Sequence, residues 1–154
     1  MSDPLVFQMG EFPAEFPVEL QYARNHMWAE LRGDVYRFGF TAYAVRLLQD
    51  VYFLDWNFDA GVDLQPQQEL GSIESKKAES SLYAPLGGKL TLFNEQLMAD
   101  PSGINLDKYG DGWLFEIHPA DDNTATDLMN AAEYLVDLED VWKITQRTIK
   151  GQLS

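Results

Sequence analysis

The feature of this sequence that most constrains its fold is a series of short strand-like segments between residues 22 and 117. The segments are rich in β-branched and aromatic residues, and glycine, proline, aspartate and asparagine separate them. The predicted strands span residues 27–31, 35–40, 51–56, 62–64, 70–73, 82–84, 89–93 and 113–117. Many short, punctuated strands of this kind predict a mainly β fold, either a sandwich or a barrel.

Two helical segments interrupt or follow the strands. Residues 41–48 form a short helical candidate, with Thr41 as its N-cap. Near the C-terminus, apolar residues recur at spacings of three and four, which predicts a helix capped by Thr124 or Thr126 and ended at Gly151. The apolar stripe comprises Leu128, Ala131, Ala132, Leu135, Leu138, Val141 and Trp142. We expect this stripe to pack on the β body, although a partner's groove is the alternative.

The chain of 154 residues fits one domain better than two. Residues 1–21 are predicted to be an N-terminal extension, because three prolines oppose a helix there. Phe7, Phe12 and Phe16 could pin this extension to the rest of the protein. Residues 22–120 are predicted to form the β domain, and residues 121–154 a helical segment packed on it.

The charge balance excludes several classes of function. Asp and Glu number 25 against 11 Lys and Arg, for a formal net charge of −14. A nucleic-acid binder or a protein docking on an anionic membrane needs clustered basic residues, so neither partner is expected. The acidic residues are spread along the chain, which favours solubility or encounter with a basic partner. With no basic, apolar leader ahead of Arg24, we expect a cytoplasmic protein.

The chain contains no cysteine. Disulfides, zinc–thiolate sites and a cysteine nucleophile are therefore excluded. His26 and His118 lie far apart in sequence, and we predict no metal site. No catalytic constellation stands out either.

A polar stretch between residues 71 and 90 is the segment most suggestive of chemistry. Two strand-like pieces flank charged residues that include no glycine or proline, which predicts a hairpin with Lys76 and Lys77 at its tip. From the residues alone, these lysines are ordinary solvated surface groups.

The motifs in and around this hairpin resemble those of the H-protein type of lipoyl carrier. That family reads Glu-Ser-x-Lys-Ala and then Tyr-x-Pro-x-x-Gly. The positions that match are Glu74, Ser75, Lys77, Ala78, Tyr83, Pro85 and Gly88. Further ordered matches at residues 22–28, 39–44, 50–54, 94–95 and 109–114 extend the resemblance over about residues 22–135. Biotinyl carriers, in contrast, typically have methionines beside the modified lysine.

The resemblance implies a lipoyl-type β-sandwich, or barrel-sandwich hybrid, that acts as a carrier and not as an enzyme. It assigns covalent lipoate to Lys77, with Lys76 in a variable slot. Glu74, Ser75, Ala78 and Glu79 form the context of the lipoylation hairpin. The resemblance suggests that a lipoate-attaching enzyme recognises Glu74; otherwise Glu74 and Glu79 are solvated charges.

Three positions along the path of the arm differ from the glycine-cleavage H proteins that the sequence resembles. Met27, Leu47 and Ser81 stand where that group has a glutamate, a histidine or other polar residue, and an aspartate. These three side chains cannot form charge-assisted hydrogen bonds with a cationic aminomethyl group.

Residues 49–56, 77–80 and 87–88 are similar to the lipoate-binding proteins of the heterodisulfide-reductase-like sulfur-oxidation pathway. That subgroup implies an arm that shuttles sulfur or reducing equivalents. The partners implied are the heterodisulfide-reductase-like complex and dihydrolipoamide dehydrogenase. Sulfur oxidation is thus the predicted function; the alternatives are a glycine cleavage H protein carrying an aminomethyl group and an unmodified interaction module.

Overall fold

A computed structural model describes residues 3–121 and 123–153, and side chains within 3–121 and 123–147. Residues 1 and 2 of the predicted N-terminal extension, and residues 122 and 154 of the predicted helical segment, lie outside the described residues. The strands in chain order are β1 (Leu5–Met9), β2 (Phe12–Phe16), β3 (Gln21–Tyr22), β4 (Met27–Arg32), β5 (Val35–Phe40), β6 (Val51–Trp56), β7 (Asp63–Leu64), β8 (Glu69–Ser75), β9 (Glu79–Tyr83), β10 (Gly88–Phe93) and β11 (Phe115–Pro119). The α-helices are α1 (Ala42–Leu48), α2 (Glu95–Ala99), α3 (Gly103–Leu106) and α4 (Ala131–Leu153).

Two antiparallel sheets enclose the main hydrophobic core. One sheet has the strand order β3-β4-β5-β11-β10-β7, and the other has the order β6-β8-β9. Phe38, Leu70, Ile73, Leu90 and Phe115 lie fully or almost fully buried between them. Each such side chain contributes about 1.5–3 kcal/mol relative to an exposed one. The predicted mainly β sandwich is confirmed.

Within the described residues, no helix has both the length and the apolar character needed to cross a membrane.

A second hydrophobic cluster joins both ends of the chain to the body. Strands β1 and β2 form a hairpin turned at Gly10, whose φ of 65° suits glycine. Phe16 of this hairpin meets the Tyr134 ring of α4 edge-on, with 5.4 Å between the ring centroids. Tyr22 stacks on the same ring at 4.9 Å. Residues from all three predicted segments pack together in this cluster, so it does not separate them. The boundaries at 21/22 and 120/121 stay a prediction.

The helix signals were partly right. Thr41 caps α1 as predicted, and its Oγ1 accepts a hydrogen bond from Ala44 N at 3.4 Å. The prediction that Thr124 or Thr126 caps the C-terminal helix is wrong, since both lie in a 3-10 helix, Thr124–Asp127. Helix α4 begins at Ala131, where Asn130 and Glu133 cap each other's backbone N–H groups at 2.9 Å. Gly151 lies inside α4 and does not end it.

Several strand bounds also differ from prediction. Strands β8 and β9 extend to Ser75 and back to Glu79, because cross-strand hydrogen bonding overrides the low β propensity of the polar residues there. Strand β11 starts at Phe115 and not at Trp113, whose N–H is used in a turn with the carbonyl of Gly110. The hairpin strands β1 and β2, strand β3, and the short helices α2 and α3 were not predicted.

Candidate functional site

The predicted tip with two lysines is the turn between β8 and β9. Glu74 and Glu79 are the last paired residues, so the turn itself contains only Ser75 to Ala78. Ser75 closes it three times: its N–H donates to Ala78 O at 2.8 Å, its Oγ donates to the same oxygen at 3.1 Å, and Ala78 N donates to Ser75 Oγ at 3.2 Å. The backbone under the lysines is therefore tightly held.

Both lysines are exposed, but their surroundings differ. Lys76 N donates to Asp50 O at 2.9 Å, which ties its end of the turn to the chain just before β6. Lys77 is exposed, and Ala78 beside it is half-buried against the main core. A fixed backbone with a free Lys77 side chain is what a flexible covalent arm requires.

An acidic face surrounds the tip. Glu74 and Glu79 lie directly opposite each other on β8 and β9. Like charges in directly opposite positions destabilise strand pairing. Phe53 pairs with Glu74 on the neighbouring strand. Neither glutamate forms an ion pair with any residue that the structure describes. Both carboxylates are therefore available to a basic surface that approaches the tip.

A cleft of about 320 Å³ opens beside the hairpin. It brings together Met27, Leu47 and Ser81, the three arm-path positions singled out in the sequence, with Ala78 and Glu79 of the hairpin. Most of its other lining is apolar, and Glu79 alone among the described lining residues carries a formal charge. The lining consists of Asn25, His26, Met27, Phe40, Ala44, Leu47, Leu48, Ile73, Ala78, Glu79, Ser80, Ser81, Leu82 and Tyr83.

Sequence reasoning missed Asn25 as a wall of this cleft. Its Nδ2 donates to Tyr83 O at 3.1 Å and approaches Met27 Sδ at 3.7 Å. Its Oδ1 is buried without a hydrogen-bond partner among the described residues. The only available signal was the polar run ahead of the apolar strand β4.

A larger groove of about 610 Å³ lies on the other side of Asn25 and Tyr83. It runs between Pro66, Pro85 and the 3-10 helix, and it does not include the tip residues or the arm-path positions. Among the residues described by the structure, no group of three or more histidines and carboxylates is placed to hold a metal ion.

His26 connects the cleft to helix α4. It is half-buried and lies in a turn with φ of 67°. Its Nδ1 lies 2.8 Å from the Tyr134 hydroxyl, which is 3.1 Å from Thr41 Oγ1. Burial lowers the pKa of His26, and nearby Asp137 opposes this shift more weakly. The neutral imidazole is thus the form that the fold favours.

We expect acidification to destabilise the fold through His26. Since the folded-state pKa lies below the unfolded value of about 6.5, the unfolded state binds the proton first, and stability falls as the pH drops below about 6.5. The slope reaches at most about 1.4 kcal/mol per pH unit from this residue. Urea unfolding of the wild type and of His26→Asn between about pH 7 and about pH 5 measures the difference. Asparagine is chosen because it tolerates positive φ.

His118→Asn is the matched control. His118 lies half-exposed, 3.5 Å from the exposed Asp34, and such a pair contributes little to stability. The control should retain the wild-type pH dependence. Equal slopes in the wild type and His26→Asn would contradict the role assigned to His26.

Residues 20–141 match the family described as Glycine cleavage H-protein. A glycine cleavage system H protein from Pseudoalteromonas translucida (strain TAC 125) is 38% identical over 122 residues, which are 79% of this chain and 94% of that relative. The chain belongs to the glycine cleavage H-protein family. A glycine cleavage system H protein from Prochlorococcus marinus (strain MIT 9303) is 39% identical over 120 residues. The crystal structure of a glycine cleavage system H protein from Mycobacterium marinum superposes with a TM-score of 0.71 at 30% identity, covering 80% of this chain and 99% of that one.

Membership of the glycine cleavage H-protein family confirms the predicted H-protein-like carrier, which is not an enzyme. The finer prediction of a sulfur-oxidation carrier is not supported by these relatives, whose names all refer to glycine cleavage. The match begins after the β1–β2 hairpin and ends within α4, so the hairpin lies outside the matched residues.

Proposed function

We propose that this chain is a lipoyl-carrier protein of the glycine cleavage system, with its arm on Lys77 and an aminomethyl group as its cargo. The observation that carries the proposal is the exposed Lys77 on a turn closed by Ser75 and Ala78, in a chain of the H-protein family. A lipoate-attaching enzyme and dihydrolipoamide dehydrogenase are the partners included in the proposal, and the cytoplasm is its location.

The residues around the tip fit a lipoyl group. Lys77 is free to form the amide, and the adjoining cleft of about 320 Å³ is lined by Met27, Leu47 and other apolar side chains that suit a hydrocarbon chain. When bound, the lipoyl group supplies a disulfide that opens to a dithiol and so carries electrons or an attached group.

The chain's own residues hold and shield such an arm. Ser75 and Ala78 keep the backbone of the turn in place, so only the side chain of Lys77 needs to move. Met27 and Leu47 exclude water from the cleft, while Ser81 and Glu79 line its hairpin side. Tethering the arm here raises its effective concentration at each partner's site.

The lining of the cleft favours a second candidate, the sulfur-oxidation carrier. Met27 is almost fully buried and Leu47 is half-buried, so neither offers a partner to a cation. Ser81 is polar but uncharged. Since charge-assisted hydrogen bonds are the strong ones, an uncharged cargo suits these three positions better than an ammonium group.

Carbon dioxide release from glycine separates the two candidates. We expect the lipoylated wild type to support glycine decarboxylation with the decarboxylating enzyme of the glycine cleavage system, with a rate that saturates as carrier is added. Met27→Glu and Ser81→Asp place a carboxylate at two arm-path positions that lack one; Ser81 is the safer position because it is half-buried and not fully buried. An inactive wild type, together with activity in either variant, would support the sulfur-oxidation candidate. Circular dichroism checks that each variant remains folded, and Ser81→Asp keeps the test decisive if a buried charge unfolds Met27→Glu.

A further inference from the structure

Large apolar side chains are exposed beside the hairpin tip, on residues that the carrier's own core does not use. Tyr52 is 61% exposed, Phe53 is 43% exposed and Leu106 is 82% exposed. We call these three residues the tip-flanking surface. Exposed leucines are common singly, but three large apolar residues beside a modification point suggest an interaction surface.

Hydrogen bonds hold the tip-flanking surface in a fixed position relative to the lysines. Asn105 of α3 accepts from Val51 N at 2.9 Å and donates to Gln49 O at 2.6 Å, so Leu106 is anchored beside the start of β6. Lys76 N donates to Asp50 O within the same stretch. Tyr52 occupies the bulge where β6 slips its register against β8. The tip and the surface are therefore two parts of one rigid region.

The charges around this region identify the kind of partner. Asp50, Asp55 and Glu79 are exposed and Glu74 is half-buried. None of the four forms an ion pair with another residue in the part of the chain that the structure describes. A second copy of this chain, with a formal charge of −14, would add to the repulsion. A partner with a basic rim around an apolar centre complements the region.

The position of Lys77 determines which partner must bind at the tip. An enzyme that modifies Lys77 has to bring its active site onto the side-chain nitrogen, and a specific interface covers about 800 Å² on each partner. An interface of that size centred on the tip extends over the residues tied to it. Apolar anchors at such a centre carry much of the binding energy, and surrounding charges mainly speed encounter.

We infer that Tyr52, Phe53 and Leu106 form the docking surface for the lipoate-attaching enzyme, which meets them with apolar side chains and meets the surrounding carboxylates with basic residues. The inference rests on the proposed function, because it takes Lys77 to be the modified lysine. It assigns to this chain a recognition surface outside the hairpin sequence itself.

The test compares variants with a lipoate–protein ligase that modifies the wild-type chain, supplied with lipoate and ATP. Tyr52→Thr and Leu106→Gln change exposed side chains only, so the fold should be retained, as a thermal melt will show. Intact mass followed over time gives kcat/KM for lipoylation. We expect each variant to lose about tenfold, the effect of truncating one interface anchor. Leu31→Gln, at a side chain 59% exposed on the far end of β4, should match the wild type.

A second measurement uses chains that cannot be modified. With Lys77→Arg as the background, calorimetry gives the Kd for the ligase, and Leu106→Gln should weaken it by about tenfold. Removing a surrounding charge should affect the kinetics of binding. Asp55→Asn should lower the rate at which the chain associates with the ligase at low salt, whereas the matched control Asp59→Asn should not.

The outcomes are distinguishable. A wild type that is lipoylated on Lys77, with unchanged kcat/KM and Kd in the Tyr52 and Leu106 variants, overturns the docking surface and leaves the proposed function standing. Sedimentation that shows a dimer lost in those variants, with lipoylation unchanged, also overturns it in favour of a second copy. A wild type that no ligase modifies overturns the proposed function itself.

Discussion

The Lys77→Arg variant is expected to lose lipoylation completely. Lys77 is exposed on a turn whose backbone is closed by Ser75 and Ala78, and it occupies the position that the family motif assigns to the modified amine. Arginine keeps the positive charge but has a guanidinium that stays protonated and is not acylated as an amine. Intact mass of protein produced with lipoate supplied should show one added lipoyl group in the wild type and none in the variant.

Lys76→Arg is the matched control, because the two lysines are adjacent and both exposed. Lys76 is held toward Asp50 through its backbone, whereas Lys77 occupies the position that the resemblance assigns to the arm. The control should gain the same mass as the wild type. Loss of the added mass in Lys76→Arg, with retention in Lys77→Arg, would show that the register of the motif is wrong by one residue.

The Gly71→Ala variant is expected to lose about 3 kcal/mol or more of unfolding free energy. A Cβ atom at Gly71 would lie 2.1 Å from the carbonyl oxygen of Asp55, a backbone atom of the neighbouring strand β6. Strands β6 and β8 are paired there, so the oxygen cannot move aside without breaking the sheet that carries the hairpin tip. Urea unfolding monitored by fluorescence measures the loss.

Gly103→Ala separates this steric cost from the general effect of adding a methyl group. At Gly103 the nearest heavy atom is the end of the Leu97 side chain, at 3.0 Å, and a side-chain methyl can shift. Alanine also favours the helix that begins there by up to about 1 kcal/mol. We expect a net change within about 1 kcal/mol. Similar losses in both variants would contradict the backbone clash.

Local signals predicted those elements whose determinants lie close together in the chain. The β4–β5 hairpin follows from a glycine turn between two apolar runs, and α1 follows from the Thr41 cap. The start of α4 was mispredicted because two threonines resemble caps, whereas Asn130 and Glu133 form the cap. Several residues satisfy the same local rule, and only tertiary packing selects among them.

The β1–β2 hairpin was predicted only as a proline-rich extension. Its strands are short, and an isolated two-stranded hairpin is marginal in water. It is stabilised by Phe16 against Tyr134, and Arg46 of α1 lies over the Phe12 ring at 4.4 Å. Those partners are distant in sequence, so no local pattern could have revealed them.

The sequence by itself determined the mainly β class, the acidic surface, the absence of protein thiols and the paired lysines of one hairpin, because each depends on composition or short-range pattern. Only the tertiary structure decided that Met27, Leu47 and Ser81 line a single cleft, that His26 contacts Tyr134, and that Asn105 of α3 is bonded to the start of β6. These are contacts between residues tens of positions apart, and their geometry depends on how two sheets and α4 pack, which residue order alone does not specify.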